Sequence, residues 1–326
     1  VNNLTKNIIK FIISIGIGVF LIWFIQKDLK PEDIQFIIES IKNTKWIYIV
    51  ILIVLGSIAC LIRALRWRLL LEPMGYKPSA QVLTASIFIM YLSNLAFPRL
   101  GEVLRCSILA KYSKVPIEKS VGTMVVERLV DVLGMGIIAF LALVFEWDKI
   151  NILYNSLQSK TVGDSQSYMK WIILVALLFI GAIAFYFIRK TRFYSILIEK
   201  IKGFAEGLSS IRKVKNYNLF IIYSVLIYFI YFITTYIFYL AIPGLEHLSI
   251  KTAFLVLTAG TIGVGMTQGG IGAYQILITK ALELYNIPTK IGLAYSWALW
   301  LIQTVTLVIG GLLSYVYLIF RKNEQE

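Results

Sequence analysis

The chain has 326 residues, 58% of them hydrophobic and 15% charged, with a mean hydropathy of +0.77; this balance excludes a water-soluble globular protein. Its net charge of +14 would suit nucleic acid, but the Lys and Arg sit in short loops between apolar runs, so membrane topology accounts for them and a nucleic-acid partner is not expected. His247 is the single histidine, and Cys60 and Cys106 lack metal or redox spacing, which argues against zinc sites and His-based triads and leaves no expected cofactor.

Ile8 to Ile25 is the first run long enough to cross a bilayer. It contains Trp23 and leads into QKDLKPED rather than a cleavage pattern, so it is read as a retained helix and not a signal peptide. Hydropathy predicts further spans at 46–62, 121–145, 171–188, 219–241 and 291–319, six full spans in all. Two other apolar segments differ. Residues 80–97 run into Pro98-Arg99-Leu100-Gly101, and 251–279 are interrupted by GTIGVGMTQGGIGAYQ, too Gly-rich and polar for a lipid-facing helix. Both are expected to be re-entrant helical hairpins, giving an all-α polytopic membrane protein with one transmembrane domain over residues 1–326.

Loop charges orient this arrangement. With re-entrant hairpins, 22 of the 32 Lys and Arg fall on one side and 10 on the other, while Asp and Glu divide evenly. That is the form of the positive-inside rule. Both termini are expected in the cytoplasm, with the protein in the cytoplasmic (inner) membrane. Residues 189–218 form a basic cytoplasmic connector, with eight Lys and Arg against two Glu. Each half then reads span, span, hairpin, span, over 8–145 and 171–319, in opposite orientation. Gly101 and Pro116 of the first half echo Gly272 and Pro288 of the second. Inverted repeats with broken helices are a transporter architecture.

The stretch NLAFPRLGEVLR, 94–105, carries the chemistry, together with ERLVD, 127–131. Pro98 stops the incoming helix and Gly101 is expected to allow the reversal. Asn94 can satisfy backbone freed by the break. Glu102 and Arg105, three apart, can pair on the returning helix; Glu127 and Asp131, four apart, share a helix face with Arg128 beside them. Six unpaired charges, Arg99, Glu102, Arg105, Glu127, Arg128 and Asp131, would cost on the order of 15–20 kcal/mol in a membrane. They must pair, snorkel to an interface, or line a wet cavity, and as a set they are the candidate substrate-binding residues. Arg63 and Arg66 in RALRWRLLL read first as headgroup-level anchors and second as site residues. In the second hairpin Gly269, Gly270 and Gly272 mark the break. Thr267, Gln268 and Gln275 offer polar groups without charge, suited either to an anionic headgroup or to a packing corner.

RALRWRLLL, NLAFPRLGEVLR, ERLVD and the late GGIG together resemble the flippase-like transmembrane domain family of lysylphosphatidylglycerol synthases, also called uncharacterised membrane protein family 0104. The resemblance covers most of the chain. It departs in the second hairpin, where Thr267 and Gln268 stand in place of the family's prolines and Gln275 in place of an acid. It implies lipid translocation between leaflets by a stand-alone member. No soluble stretch here reaches domain size, so aminoacyl transfer is not expected.

The leading expectation is a lipid flippase or scramblase for a membrane phospholipid or polyprenyl-linked lipid. Arg99 and Arg105 would hold the phosphate, and Glu102, Glu127 and Asp131 would neutralise the empty site. No P-loop pattern is present, so no ATP-binding motif supplies energy and an enzyme is not expected. The alternatives are a polytopic transferase acting on a lipid-linked sugar or phosphate, a carrier of small anions, and a non-catalytic membrane partner of a separate lipid-modifying enzyme.

Overall fold

The computed structural model describes residues 31–97, 99–149, 214 and 216–323. The predicted spans 8–25 and 171–188, most of the connector 189–218, and Pro98 lie outside the described residues. Contacts gather the chain into two units, residues 1–146 with 214–326 and residues 147–213, and every helix named here belongs to the first. No strand occurs among the described residues.

Among the described residues nine α-helices follow in order: α1 Pro31–Lys42, α2 Trp46–Leu71, α3 Ala80–Ala96, α4 Leu100–Ser113, α5 Ile117–Phe145, α6 Tyr217–Ile237, α7 Thr252–Met266, α8 Ala273–Glu283 and α9 Thr289–Asn323. Four of them, α2, α5, α6 and α9, are long and apolar enough to cross a membrane. They contain the predicted spans 46–62 and 121–145, nearly all of 219–241, and 291–319. On α5 and α9, Val132, Leu133, Ile137, Phe140, Leu312 and Leu313 are exposed; such faces are stable against acyl chains and not against water. Hydropathy does not mark α1, an amphipathic helix whose Ile37 and Ile41 pack on Leu293, Ala294 and Trp297 of α9.

The two interrupted segments are helix–turn–helix hairpins, α3–α4 and α7–α8, whose arms lie side by side. In the first, Ser79 caps α3 by accepting from the Val82 amide. Phe97 ends it in extended backbone, as a residue before proline must. The left-handed residue at this turn is Arg99, at φ 64°. Gly101 therefore does not make the reversal. It sits inside α4, where a Cβ would lie 2.0 Å from the Met90 carbonyl oxygen, so its task is to let the two arms touch. The second turn takes its reversal from Gly269, Gly270 and Gly272, at φ 63°, 79° and 83°. Its arms approach through Gly263, where a Cβ would come within 2.6 Å of the Tyr274 Cα.

Packing exchanges elements between the halves. The first hairpin lies along α9, with Phe88 at Gly310 and Leu92 at Gly311. Reciprocally, α7 lies on α5, where the rings of Phe145 and Phe254 are 5.4 Å apart. Helices α2 and α6 run antiparallel: Leu52 packs beside Phe238 and Tyr239, whereas Arg66 reaches Ser224 and Phe220 at the other end. The main core, with Tyr239, Ile278, Tyr295 and Leu299, joins α6 to the second hairpin and α9.

Candidate functional site

Glu127 is the centre of the charged constellation. Its side chain is 0% exposed; Oε2 accepts from Arg105 Nη2 at 2.6 Å, and Oε1 lies 3.2 Å from Arg63 Nη1 and 3.5 Å from Arg66 Nη2. One turn on, the Asp131 carboxylate takes Arg63 at 2.7 Å and Arg66 at 2.6 Å. The i,i+4 spacing on α5 aims both acids at one face, and the i,i+3 spacing on α2 aims both arginines back at them. Arg63 also donates to the Tyr231 hydroxyl at 3.2 Å, and the Tyr228 hydroxyl donates to the Asp131 carbonyl at 2.5 Å, so α6 closes the cluster. Arg105 stacks 3.6 Å above the Trp67 ring, whose Nε1 donates to Thr123. A fully buried guanidinium is tolerable only with such a carboxylate and an aromatic face.

The sequence expectations are thus redistributed. Arg63 and Arg66 are not headgroup-level anchors but buried members of the cluster; Arg68, off their face, is the part-exposed one and pairs with Glu72 at 3.3 Å. Glu102 and Arg105 do not pair. Glu102 Oε1 accepts from Asn94 Nδ2 at 3.3 Å and stands 3.9 Å from Arg128 Nη2. Asn94 Oδ1 accepts from the Gly101 amide at 2.9 Å, which ties α3 to the first turn of α4. Arg99 is exposed at the hairpin turn and takes no part in the cluster's ion pairs among the described residues.

Four guanidiniums, Arg63, Arg66, Arg105 and Arg128, face three carboxylates, Glu102, Glu127 and Asp131, which leaves one positive charge over. The loosest is Arg128. Its side chain is 43% exposed, its distances to Glu102 and Asp131 are 3.9 and 3.8 Å, beyond hydrogen-bond length, and Nη2 has the Met90 sulfur at 3.7 Å. It lies on the wall of a cavity of about 440 Å³. Arg63, Asp131, Tyr91 and Tyr231 line the same end, and Thr234, Thr235, Thr261, Gln303 and Thr306 line the rest, among apolar residues from α2, α6, α7, α8 and α9. Tyr91 brings a phenol to this end of the wall. Sequence reasoning missed Tyr91 and Tyr231, because tyrosine is common in this chain and no local spacing distinguishes these two from interfacial residues.

The hairpin tips meet. Gln268 Nε2 donates to the carbonyls of Asn94 and, at 3.4 Å, Leu95. Trp300 Nε1 holds the Gly269 carbonyl at 2.8 Å. Thr267 donates to the Ile271 carbonyl at 2.9 Å, and Gln275 Oε1 accepts from the Gly272 amide at 2.8 Å. The three polar side chains expected to offer ligand groups thus hold turn backbone, which broken helices buried in protein require. No group of three His, Cys, Asp or Glu able to hold a metal occurs among the described residues.

A family described as lysylphosphatidylglycerol synthase TM region matches residues 8–311. The chain belongs to this family. Two UPF0104 membrane proteins of Methanocaldococcus jannaschii are similar over most of it. MJ1595 is 21% identical across 98% of this chain and 96% of its own length. MJ1078 is 24% identical across 73% of this chain and 97% of its own. Glycosyltransferase AglD of Haloferax volcanii is 33% identical over 84 residues, 26% of this chain, and the match spans 14% of AglD. No solved structure matches. Family and helices together make this a multi-pass integral membrane protein.

Proposed function

We propose that the protein moves a phosphate-bearing lipid between membrane leaflets, as a flippase or scramblase, with the headgroup in the cavity beside Arg128 and the acyl chains in the bilayer. The observation that carries this reading is the spare guanidinium on the wall of a cavity of about 440 Å³ lined by α2, α5, α6, α9 and the second hairpin, with Tyr91 of the first hairpin at its charged end. A volume of that order takes a headgroup and not two acyl chains. Arg128 gives up two long ion pairs and a 3.7 Å contact with the Met90 sulfur to engage a phosphodiester, and a charge-assisted bond formed away from water is stronger than any of them. The Glu127 network keeps the remaining charges paired, so the headgroup meets one net positive charge.

The architecture supports transport. The hairpin arms, 17, 14, 15 and 11 residues long, measure about 25, 21, 22 and 16 Å at 1.5 Å per residue, short of a core roughly 30 Å thick. Each hairpin enters and returns, one from each face, and the tips meet within the membrane. Antiparallel α2 and α6 and the reciprocal packing on α9 and α5 are what inverted repeats require. Exchange of conformation between the halves then opens the cavity to alternate sides. The distribution of Lys and Arg supports a cytoplasmic location for both termini and the cytoplasmic membrane for the protein.

A second reading, transfer onto a lipid-linked sugar, draws on the partial similarity to a protein named a glycosyltransferase. It needs a free carboxylate as base, but Asp131, the acid on the cavity wall, is held by two guanidiniums at 2.6 and 2.7 Å.

The test is purified protein in liposomes carrying fluorescent anionic, zwitterionic and polyprenyl lipids, with impermeant quenching of the outer leaflet. Wild type is expected to expose more than the outer half, Arg128→Gln to slow exposure at least about tenfold without lowering thermal stability, and Arg99→Gln to leave it unchanged; a tenfold loss corresponds to about 1.4 kcal/mol. Wild type indistinguishable from empty liposomes with every lipid overturns the reading, and donor-dependent modification of the lipid becomes the assay.

A further inference from the structure

The two ends of the cavity wall differ in hydrogen-bonding chemistry. Three of its threonines have committed their protons: Thr235 Oγ1 donates to the Tyr231 carbonyl at 3.0 Å, Thr261 to Leu257 at 2.8 Å and Thr306 to Ile302 at 2.7 Å. A hydroxyl that has donated its proton to its own helix can only accept from a ligand. Beside them Thr234, 8% exposed, keeps a hydroxyl with no partner, and Gln303 adds an amide. The other end is of the opposite kind. Arg128, together with the Tyr91 and Tyr231 hydroxyls, supplies donors. A ligand filling the cavity therefore meets donors at one end and, at the other, three hydroxyls that only accept beside a Thr234 hydroxyl and a Gln303 amide that can do either, an arrangement that suits ligand hydroxyls.

Spacing and charge narrow this further. Thr235 is four residues beyond Tyr231, about 6 Å along α6. Thr306 stands opposite Gly56, whose Cβ would be 3.8 Å from its methyl, and Gly56 is two turns from Arg63, roughly 10 Å. Between protein groups that each add a hydrogen bond of about 2.8 Å, such spans suit a phosphate joined to the hydroxyls of glycerol or a monosaccharide. An ammonium in this cavity would need a carboxylate. The acid on its wall is Asp131, occupied by Arg63 and Arg66, and the surrounding charge is already positive by one.

Resting on the reading of the site as a lipid-headgroup cavity, we infer that its ligand is a singly anionic phosphodiester bearing uncharged hydroxyls, a phosphopolyol lipid, and that amine-bearing headgroups are disfavoured. The threonines are specificity-determining residues, and Arg128 is the anion ligand common to every substrate.

The experiment uses liposomes with acyl-labelled lipids of native headgroup: phosphatidylglycerol, phosphatidylmethanol with the same charge and no hydroxyl, phosphatidylethanolamine, and aminoacylated phosphatidylglycerol. Phosphatidylglycerol is expected to move fastest, about five- to tenfold ahead of phosphatidylmethanol, the factor that accompanies one hydrogen bond of about 1–1.4 kcal/mol. The isosteric pair Thr235→Val and Thr306→Val is expected to bring phosphatidylglycerol down to the phosphatidylmethanol rate while leaving phosphatidylmethanol unchanged, which also shows that the variant is folded. Equal rates for the two anionic lipids, a faster amine headgroup, or a variant that slows both lipids alike overturns the inference and leaves translocation standing. If no lipid moves, the translocation reading fails, and native mass spectrometry of lipid retained by detergent-purified protein decides the headgroup: equal retention of phosphatidylglycerol and phosphatidylmethanol overturns the assignment, and preferential retention that the double variant loses upholds it. Uptake of soluble glycerol phosphate into the same liposomes, without lipid movement, would show that the ligand is the free polyol phosphate and overturn the lipid assignment.

Discussion

The two hairpins solve the same problem with different chemistry. Both break a helix, turn it back on itself, and bring the arms into contact through one glycine, Gly101 against Met90 and Gly263 against Tyr274. The second hairpin does this without charge, with three left-handed glycines and Thr267, Gln268 and Gln275 bound to turn backbone. The first carries Arg99, Glu102 and Arg105, and its arms feed an ion-pair network on α2 and α5. Two hairpins whose tips meet need only one charged cluster between them. A second would double the cost of burying ions.

Substitutions can break this comparison at graded cost to stability. Glu127→Ala is the most damaging, because it strips Arg105 of its carboxylate and leaves Arg63 and Arg66 to share Asp131. Losing one partner of a buried pair costs about 3–5 kcal/mol, and thermal unfolding in detergent is expected to show it as the largest drop of the series. No comparable loss is available from any polar side chain of the second turn, and a Gln275→Ala variant that destabilised as much would refute the contrast.

Gly101→Ala comes next. Its Cβ meets backbone oxygen at 2.0 Å, so α3 and α4 must separate, at about 1–3 kcal/mol for an overpacked contact. Gly122, where nothing lies within 4 Å, is the control. Gly122→Ala is expected to stabilise α5 by up to about 1 kcal/mol, measured by the same melts. Equal effects at the two positions would mean that Gly101 serves the turn rather than the contact between arms. Smallest is Gln268→Ala, which removes the donor at the tips and leaves both hairpins intact. We expect a loss of about 1 kcal/mol, together with faster amide exchange confined to the residues around 94–97 and 267–272.

Much of the fold was legible from hydropathy, since the transfer of a segment into lipid depends mainly on its own composition. Residues 46–62, 121–145, 219–241 and 291–319 could be marked from side chains within a single window, and Phe97 before Pro98 and the GGIG run marked the breaks. The site was only half legible. The i,i+4 spacing of Glu127 and Asp131 defined a charged face, but an arginine near the end of an apolar helix reads the same whether it snorkels to a headgroup or pairs in the interior. Arg63 and Arg66 were therefore read as anchors. Their partners lie 61 to 68 residues away on α5.

Local sequence by itself determined the apolar helices, the two interruptions and the residue types available for a charged site, because partition into lipid and helix breaking act over a few neighbouring residues. Tertiary structure alone decided that Arg105 is sequestered against Trp67 and Glu127, that Gly101 serves contact rather than reversal, and that Arg128 is left with the spare charge. Which charge is satisfied depends on distances between helices far apart in the chain, and Coulomb energy and desolvation are fixed only when those helices pack.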